Sequence, residues 1–242
     1  MKYLSLTSKW IIGLLSVALF IVSGRMTEAD PTDDFSFTLG HPPVVSAYRL
    51  LNDQGVGRIL EDRLDLFPKS QIPKLAKHIV ELCNIYRFDP AFVLSLIEVE
   101  SRFNVKATSP VGAIGLMQLM LPTANFVAHE VELLPTGHET FEAKKLNKKE
   151  ITSAILYEPF ANTSLGIAYL SWLRDHYHGS LPYYLVAAYL VGPARMDELM
   201  SRKSFRPRDS QHYFRSIRQR VNGFRFYQTR QVSGRSKLKL AL

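Results

Sequence analysis

Asp89-Pro90-Ala91-Phe92-Val93-Leu94-Ser95-Leu96-Ile97-Glu98-Val99-Glu100-Ser101-Arg102 reads as a helix with almost no polar face. Asp89 is a capping residue type and Pro90 suits a first turn, so the pattern predicts a helix from Ala91 to about Arg102. Phe92, Val93, Leu96, Ile97 and Val99 leave little polar surface, which requires the helix to be largely buried. Glu98 and Glu100 stand out against that background. Two residues apart is about 200° around a helix, so the two carboxyls cannot share one site. Two readings of them are open. A desolvated carboxyl has a raised pKa and can protonate a glycosidic oxygen as its bond breaks. Alternatively, each Glu sits at the helix edge, paired with Arg102 or a lysine.

Outward from this segment the helical signal continues in both directions. Upstream, Ser70 can cap a helix carrying Ile72, Leu75, Ala76, Ile79, Cys83 and Tyr86 at helical spacing. Downstream, Ser109 to Ala113 is a turn, and a short segment from Gly115 to Met120 ends at Pro122. A helix can begin near Thr123, and residues 129–150 form a charged excursion without periodicity. Helical spacing returns at Leu165, Ala168, Tyr169, Trp172 and Leu173. It returns again from Ser180 through Leu185, Ala188 and Tyr189, where Gly192-Pro193 stops it. A last helix opens at Asp209, with Tyr213, Phe214, Ile217, Val221 and Phe224 on one face. No alternating run has strand length, so the fold class is mainly α. The 242 residues, 46% hydrophobic and 21% charged, suit one sizeable core with flanking segments.

The ends are of a different kind. Lys2 and Lys9 precede an apolar run from Trp10 to Val22, followed by the small residues Ser23 and Gly24. That is the layout of a secretory signal peptide over residues 1–24, with an uncleaved anchor as the alternative. The run is 13 residues, against the ~20 a membrane-spanning helix needs. Residues 25–69 read as a polar, proline-bearing linker with one or two short helices between Val44 and Phe67. Either way, cleaved or anchored, the working domain, residues 70–228, is expected outside the cytoplasm, in the periplasm or elsewhere in the cell envelope. Cys83 is the only cysteine, on the apolar face of a helix, so a buried inert thiol is expected.

The formal charge is +8, and it is unevenly spread. Residues 201–242 hold twelve Lys or Arg against one acid, Asp209, which leaves the first 200 residues net negative. Such an end can meet an anionic wall polymer or membrane surface. Nucleic acid is not expected, because it would not explain the export signal. Residues 229–242 read as a basic tail beyond the last helix, with Ser233-Gly234 as a flexible point.

Glu100-Ser101-Arg102-Phe103-Asn104, followed by Ala107-Thr108-Ser109-Pro110-Val111-Gly112-Ala113-Ile114-Gly115-Leu116-Met117-Gln118 and by Pro122-Thr123, resembles the catalytic signature of the soluble lytic transglycosylases, the lysozyme-like murein-cleaving family. Later blocks resemble the family in order: Glu158-Pro159, Asn162, Gly166 and Tyr169-Leu170, then Ala187-Ala188-Tyr189 with Gly192-Pro193, then His212-Tyr213-Phe214. Together they span about residues 70–228. The resemblance implies a lysozyme-like helical domain of the goose-type or SLT kind, with a groove for peptidoglycan glycan strands. It implies that Glu100 is the catalytic acid and base, with Ser101, Gln118 and Tyr189 at the substrate, and that the products carry 1,6-anhydromuramic ends. Most glycosidases need two carboxyls about 5–9.5 Å apart. A substrate that supplies its own hydroxyl nucleophile needs only one. The pattern's Asn after the tyrosine is Leu190 here, a departure that bears on rate and substrate preference rather than on fold.

No cofactor is expected. His129-Glu130 and His138-Glu139 lack the two-histidine helical spacing of zinc proteases, so no metal site is expected either. Two rivals stand beside the enzyme: a wall-binding or scaffolding module that has lost turnover, motivated by Leu190, and a lysozyme that uses water on the same fold.

Overall fold

The computed structural model describes residues 51–134, 143–177, 182–206 and 210–239, with the side chains of the last segment described as far as Arg225. Residues 1–24 and the linker up to residue 50 lie outside the described residues. Among the described residues nine α-helices and one small hairpin follow one another: α1 (Asp53–Arg63), α2 (Ile72–Tyr86), α3 (Pro90–Ser101), β1 (Ala113–Ile114), β2 (Leu119–Met120), α4 (Leu121–Glu130), α5 (Ser153–Leu156), α6 (Pro159–His176), α7 (Pro182–Val191), α8 (Pro193–Ser201) and α9 (Gln211–Lys239). The strands are two residues each, antiparallel, with Ala113 opposite Met120. The fold is mainly α.

The helix ends follow from local chemistry. Asn52 Oδ1 accepts from the Gly55 amide at 2.9 Å and starts α1. Asp89 Oδ1 accepts from the Ala91 amide at 2.8 Å and Pro90 takes the first turn of α3, as expected. Both α2 and α3 end on an arginine in the left-handed region, Arg87 at φ 58° and Arg102 at φ 52°. Ser70 does not cap: Lys69–Gln71 form a 3₁₀ turn that leads into α2 at Ile72.

Three elements differ from what the spacing predicts. α1 buries Val56, Ile59 and Leu60 against α2, so the packed core reaches back to Leu51, ahead of the boundary at Ser70. Gly192-Pro193 does end α7, with Gly192 at φ 81°, but Pro193 then opens α8, because a proline costs nothing where the amide has no helical partner. α9 runs to Lys239, so residues 229–239 continue the last helix and are not a tail beyond it. A single Gly234 lowers helix propensity by only about 1 kcal/mol, and the stretch contains no proline to stop the helix.

α3 is the central element. All of its residues from Pro90 to Ile97 are buried, and it packs chiefly on α9. Ile217, Val221 and Phe224 of α9 are buried in that contact. α2 packs on α1 on one side and on α6 on the other. Cys83 sits fully buried in α2, and burial pushes its thiol well up from the ordinary value. The α3–α9 contact also carries charge: Arg225 donates from Nε at 2.9 Å and Nη2 at 2.6 Å to Asp89 Oδ2. The Asp89 side chain is 2% exposed and that of Arg225 20%. Removing one partner of so dry a pair costs about 3–5 kcal/mol. The partly exposed Lys77–Glu81 pair on α2, by contrast, contributes about 0.3–0.5 kcal/mol.

Candidate active site

The last turn of the buried helix α3 breaks the surface, and there Glu98, Val99 and Glu100 are partly exposed. The two glutamates go opposite ways. Glu98 receives Arg63 Nη1 of α1 at 2.6 Å and lies 3.6 Å from Arg220 Nε of α9. Glu100 has no ion pair among the described residues. Its Oε1 accepts a hydrogen bond from the Tyr213 hydroxyl of α9, 113 residues away in sequence. Burial pushes the Glu100 carboxyl up to about 7, and the Tyr213 hydrogen bond, which favours the anion, opposes that rise. The end of a helix, where free carbonyls gather, is also unfavourable for an anion.

Tyr189 on α7 completes the surroundings. Its hydroxyl donates to the Met117 carbonyl at 2.6 Å, and burial together with the nearby Glu100 charge pushes its own ionisation well up. Tyr213 is pushed up for the same reasons, so both phenols keep their protons over the working range. Tyr169 of α6 lies against Tyr189 with ring centroids 5.6 Å apart.

The β1–β2 hairpin is hung beside this cluster by one buried amide. Asn162 Oδ1 accepts from the Met117 amide at 2.8 Å, while its Nδ2 donates to the carbonyls of Ile114 at 3.0 Å and Leu156 at 2.8 Å. Two glycines make room for it. A Cβ on Gly115, at φ 79°, would meet Asn162 Nδ2 at 2.4 Å, and one on Gly166 would meet Met117 Sδ at 2.4 Å. Asn162, Gly115 and Gly166 therefore place Met117, whose carbonyl in turn orients Tyr189. Residues scattered over three of the sequence blocks form one support.

Of the residues expected at the substrate, Tyr189 lies with Glu100. Gln118 follows Met117 in the left-handed region at φ 47°, and its amide donates to the carbonyls of Gly115 at 2.9 Å and Ala107 at 3.3 Å, closing the loop. Ser101 is buried, and its hydroxyl donates back to the Ile97 carbonyl at 3.0 Å. Leu190 is partly buried on α7 next to Tyr189. Tyr213 is the residue that sequence reasoning passed over. A phenol on an apolar stripe must find a partner for its hydroxyl when buried, and that was the available signal. A cavity of about 430 Å³ opens on the Glu98 side, lined by Asp62, Arg63, Glu98, Gln219, Arg220 and Phe224, and does not include Glu100.

A mainly helical domain thus presents one mostly buried carboxyl, raised to about 7 and flanked by two protonated phenols and a braced hairpin. Residues 79–211, more than half of the chain, match the family described as the transglycosylase SLT domain, and the chain belongs to that family. Among curated proteins it is 36% identical over 92 residues to membrane-bound lytic murein transglycosylase C of Histophilus somni (strain 2336), covering 38% of this chain and 22% of the relative. It is 24% identical over 198 residues to membrane-bound lytic murein transglycosylase E of Buchnera aphidicola subsp. Acyrthosiphon pisum (strain APS), covering 79% and 73%. The chain thus spans about a fifth of the length of the first of these relatives. Among solved structures, an inactive mutant of lytic transglycosylase Slt from Pseudomonas aeruginosa is similar with a TM-score of 0.47 at 22% identity, covering 76% of this chain and 32% of that one.

Proposed function

We propose that this chain is a murein lytic transglycosylase that cleaves the β-1,4 bond between N-acetylmuramic acid and N-acetylglucosamine in peptidoglycan, with Glu100 as its single acid and base. The observation that carries the reading is a carboxyl raised to about 7 that, among the described residues, pairs with no cation and no second carboxyl. Such a group is half protonated at neutral pH and can work in both directions. Protonated Glu100 gives its proton to the bridging oxygen as the bond from that oxygen to the muramyl C1 breaks. The resulting carboxylate takes the proton of the muramyl 6-hydroxyl as its oxygen bonds to C1. Glu100 ends protonated, no water is consumed, and the product is a 1,6-anhydromuramic end.

The neighbouring carboxyl does not supply a second catalytic group, because Glu98 is turned to Arg63 and Arg220. Tyr213 acts as a positioning residue on Glu100. Tyr189 and Gln118 border the place where the sugar would lie, and Ser101 supports the turn that follows Glu100. Work on murein fits the basic and apolar start of the chain, which reads as an export signal to the periplasm or cell envelope. The basic continuation of α9 is suited to hold the protein near anionic wall or membrane surfaces.

Mass spectrometry of the products released from purified sacculi tests the reading. Anhydromuramic ends are expected. Reducing ends would replace the mechanism with a water-using lysozyme, and binding without any product would leave a wall-binding module, the outcome that Leu190 in the position of the family's asparagine favours.

A further inference from the structure

Tyr213 reaches Glu100 only if α9 lies against α3 in one register. The contact between them is an apolar stripe, Ile217, Val221 and Phe224, and apolar stripes alone define sliding and rotation weakly. The two helices run antiparallel, with Tyr213 at the end of α3 that carries Glu100 and Arg225 at the end that carries Asp89. From Asp89 to Glu100 is about 16 Å along α3, and from Tyr213 to Arg225 about 18 Å along α9, at ~1.5 Å per residue. The spacings match, so the two contacts can form together in one register and not in another.

We propose that Arg225 is a positioning residue for the reaction at Glu100: its pairing with Asp89 holds α9 in the register that lays the Tyr213 hydroxyl on the Glu100 carboxyl. The inference rests on Glu100 being the acid and base. Asp89 is built for the task because its two oxygens do separate work. Oδ1 caps α3 through the Ala91 amide, and Oδ2 takes both Arg225 donors. The clamp is therefore tied to the start of the same helix whose last turn bears Glu100. A second charged link between α3 and α9 among the described residues, Arg220 to Glu98, is looser at 3.6 Å and borders an open cavity, so it defines the register less sharply. The groups that face Glu100 are Tyr213 from α9 and Tyr189 from α7. Those that face Asp89 are Arg225 from α9 and the Cys83 thiol from α2.

The test uses the full chain with Arg225→Met, Arg225→Lys, Tyr213→Phe and the double variant Tyr213→Phe with Arg225→Met. The Glu100 carboxyl is followed by its ¹³C NMR titration in the ligand-free protein, and murein cleavage is followed against pH. Tyr213→Phe should move the Glu100 midpoint upward, since it removes a bond to the anion. Arg225→Met should move it the same way by a comparable amount, with kcat down severalfold and KM close to wild type, and Arg225→Lys should fall between. In the double variant the midpoint should move no further than in Tyr213→Phe alone. An added shift there would mean that Arg225 acts through its own charge, and would overturn the proposal. So would a wild-type midpoint in Arg225→Met, even with a lower melting temperature. Should Arg225→Met not fold, Arg225→Lys decides, and an unmoved midpoint in it is equally fatal. A wild-type protein that releases no murein fragment sinks the functional reading, whereas the NMR result judges the clamp independently.

Discussion

Glu98 and Glu100 stand two residues apart on one helix and live in opposite surroundings. Glu98 faces α1 and α9 through two guanidinium groups, beside a water-accessible cavity of about 430 Å³. Glu100 faces the phenols of Tyr213 and Tyr189, with no ion pair among the described residues, and desolvation pushes it up to about 7. The same side chain on the same turn is thus an ion-pair partner on one face and a proton carrier on the other. A catalytic carboxyl is defined by which elements pack on its face, and the residue type only permits it.

The widest gap between the two should appear in activity. Glu100→Gln keeps the shape and removes the titrating proton, so murein cleavage should fall at least ~10²-fold. Glu98→Gln should cost less than tenfold. Equal losses at the two positions, measured on sacculi, would break the comparison.

Stability should separate them next, with a sign set by pH. Glu100 binds its proton more tightly folded, at about 7, than at its ordinary 4.5, so its contribution is fully present below about 4.5 and is lost as pH rises through about 7. Above that range the buried anion costs on the order of 2–3 kcal/mol, discounted for the edge that water reaches. Glu100→Gln should therefore melt like wild type at pH 4 and above it at pH 8. Glu98→Gln, which weakens a half-exposed ion pair, should melt slightly lower, by about 0–1 kcal/mol, without such a crossover. Thermal melts at both pH values check this.

A smaller effect belongs to Tyr213→Phe. Losing its hydrogen bond should raise Glu100 further and carry the alkaline limb of the rate–pH profile upward by a fraction of a unit to about one unit. An unmoved profile would mean that the phenol is packing and nothing more. The smallest effect is expected from deleting residues 229–242. Arg225 already meets Asp89 at the start of α3, and α9 runs on past that point, so melting and cleavage of short soluble glycans should stay unchanged. Sacculus binding should weaken at low salt only, since exposed charge is screened beyond ~8 Å at physiological salt. Co-sedimentation at two salt concentrations reads it.

Much of this was legible along the chain. Asp89-Pro90 marks the start of α3, the apolar density from Phe92 to Ile97 marks its burial, and the unusual place of Glu98 and Glu100 follows from both. These are short-range matters, governed by caps and by side chains three and four residues apart. Gly115, Asn162 and Gly166 were visible as a pattern, but their reason, a shared support for Met117, needed the fold. The opening of α8 at Pro193 and the run of α9 to Lys239 were hidden because a stop signal and a weak glycine say nothing about what the chain does next.

What the sequence determined by itself is a helical domain with two carboxyls, Glu98 and Glu100, stranded on a buried helix. Only the tertiary structure decided which carboxyl titrates near neutrality. The Tyr213 hydroxyl and the Arg225 guanidinium reach α3 from 113 and 136 residues away, and Arg63 and Arg220 cover Glu98 from two different helices. No periodicity encodes such meetings, because desolvation and hydrogen bonding depend on which faces come together, and that is settled by the packing of the whole core.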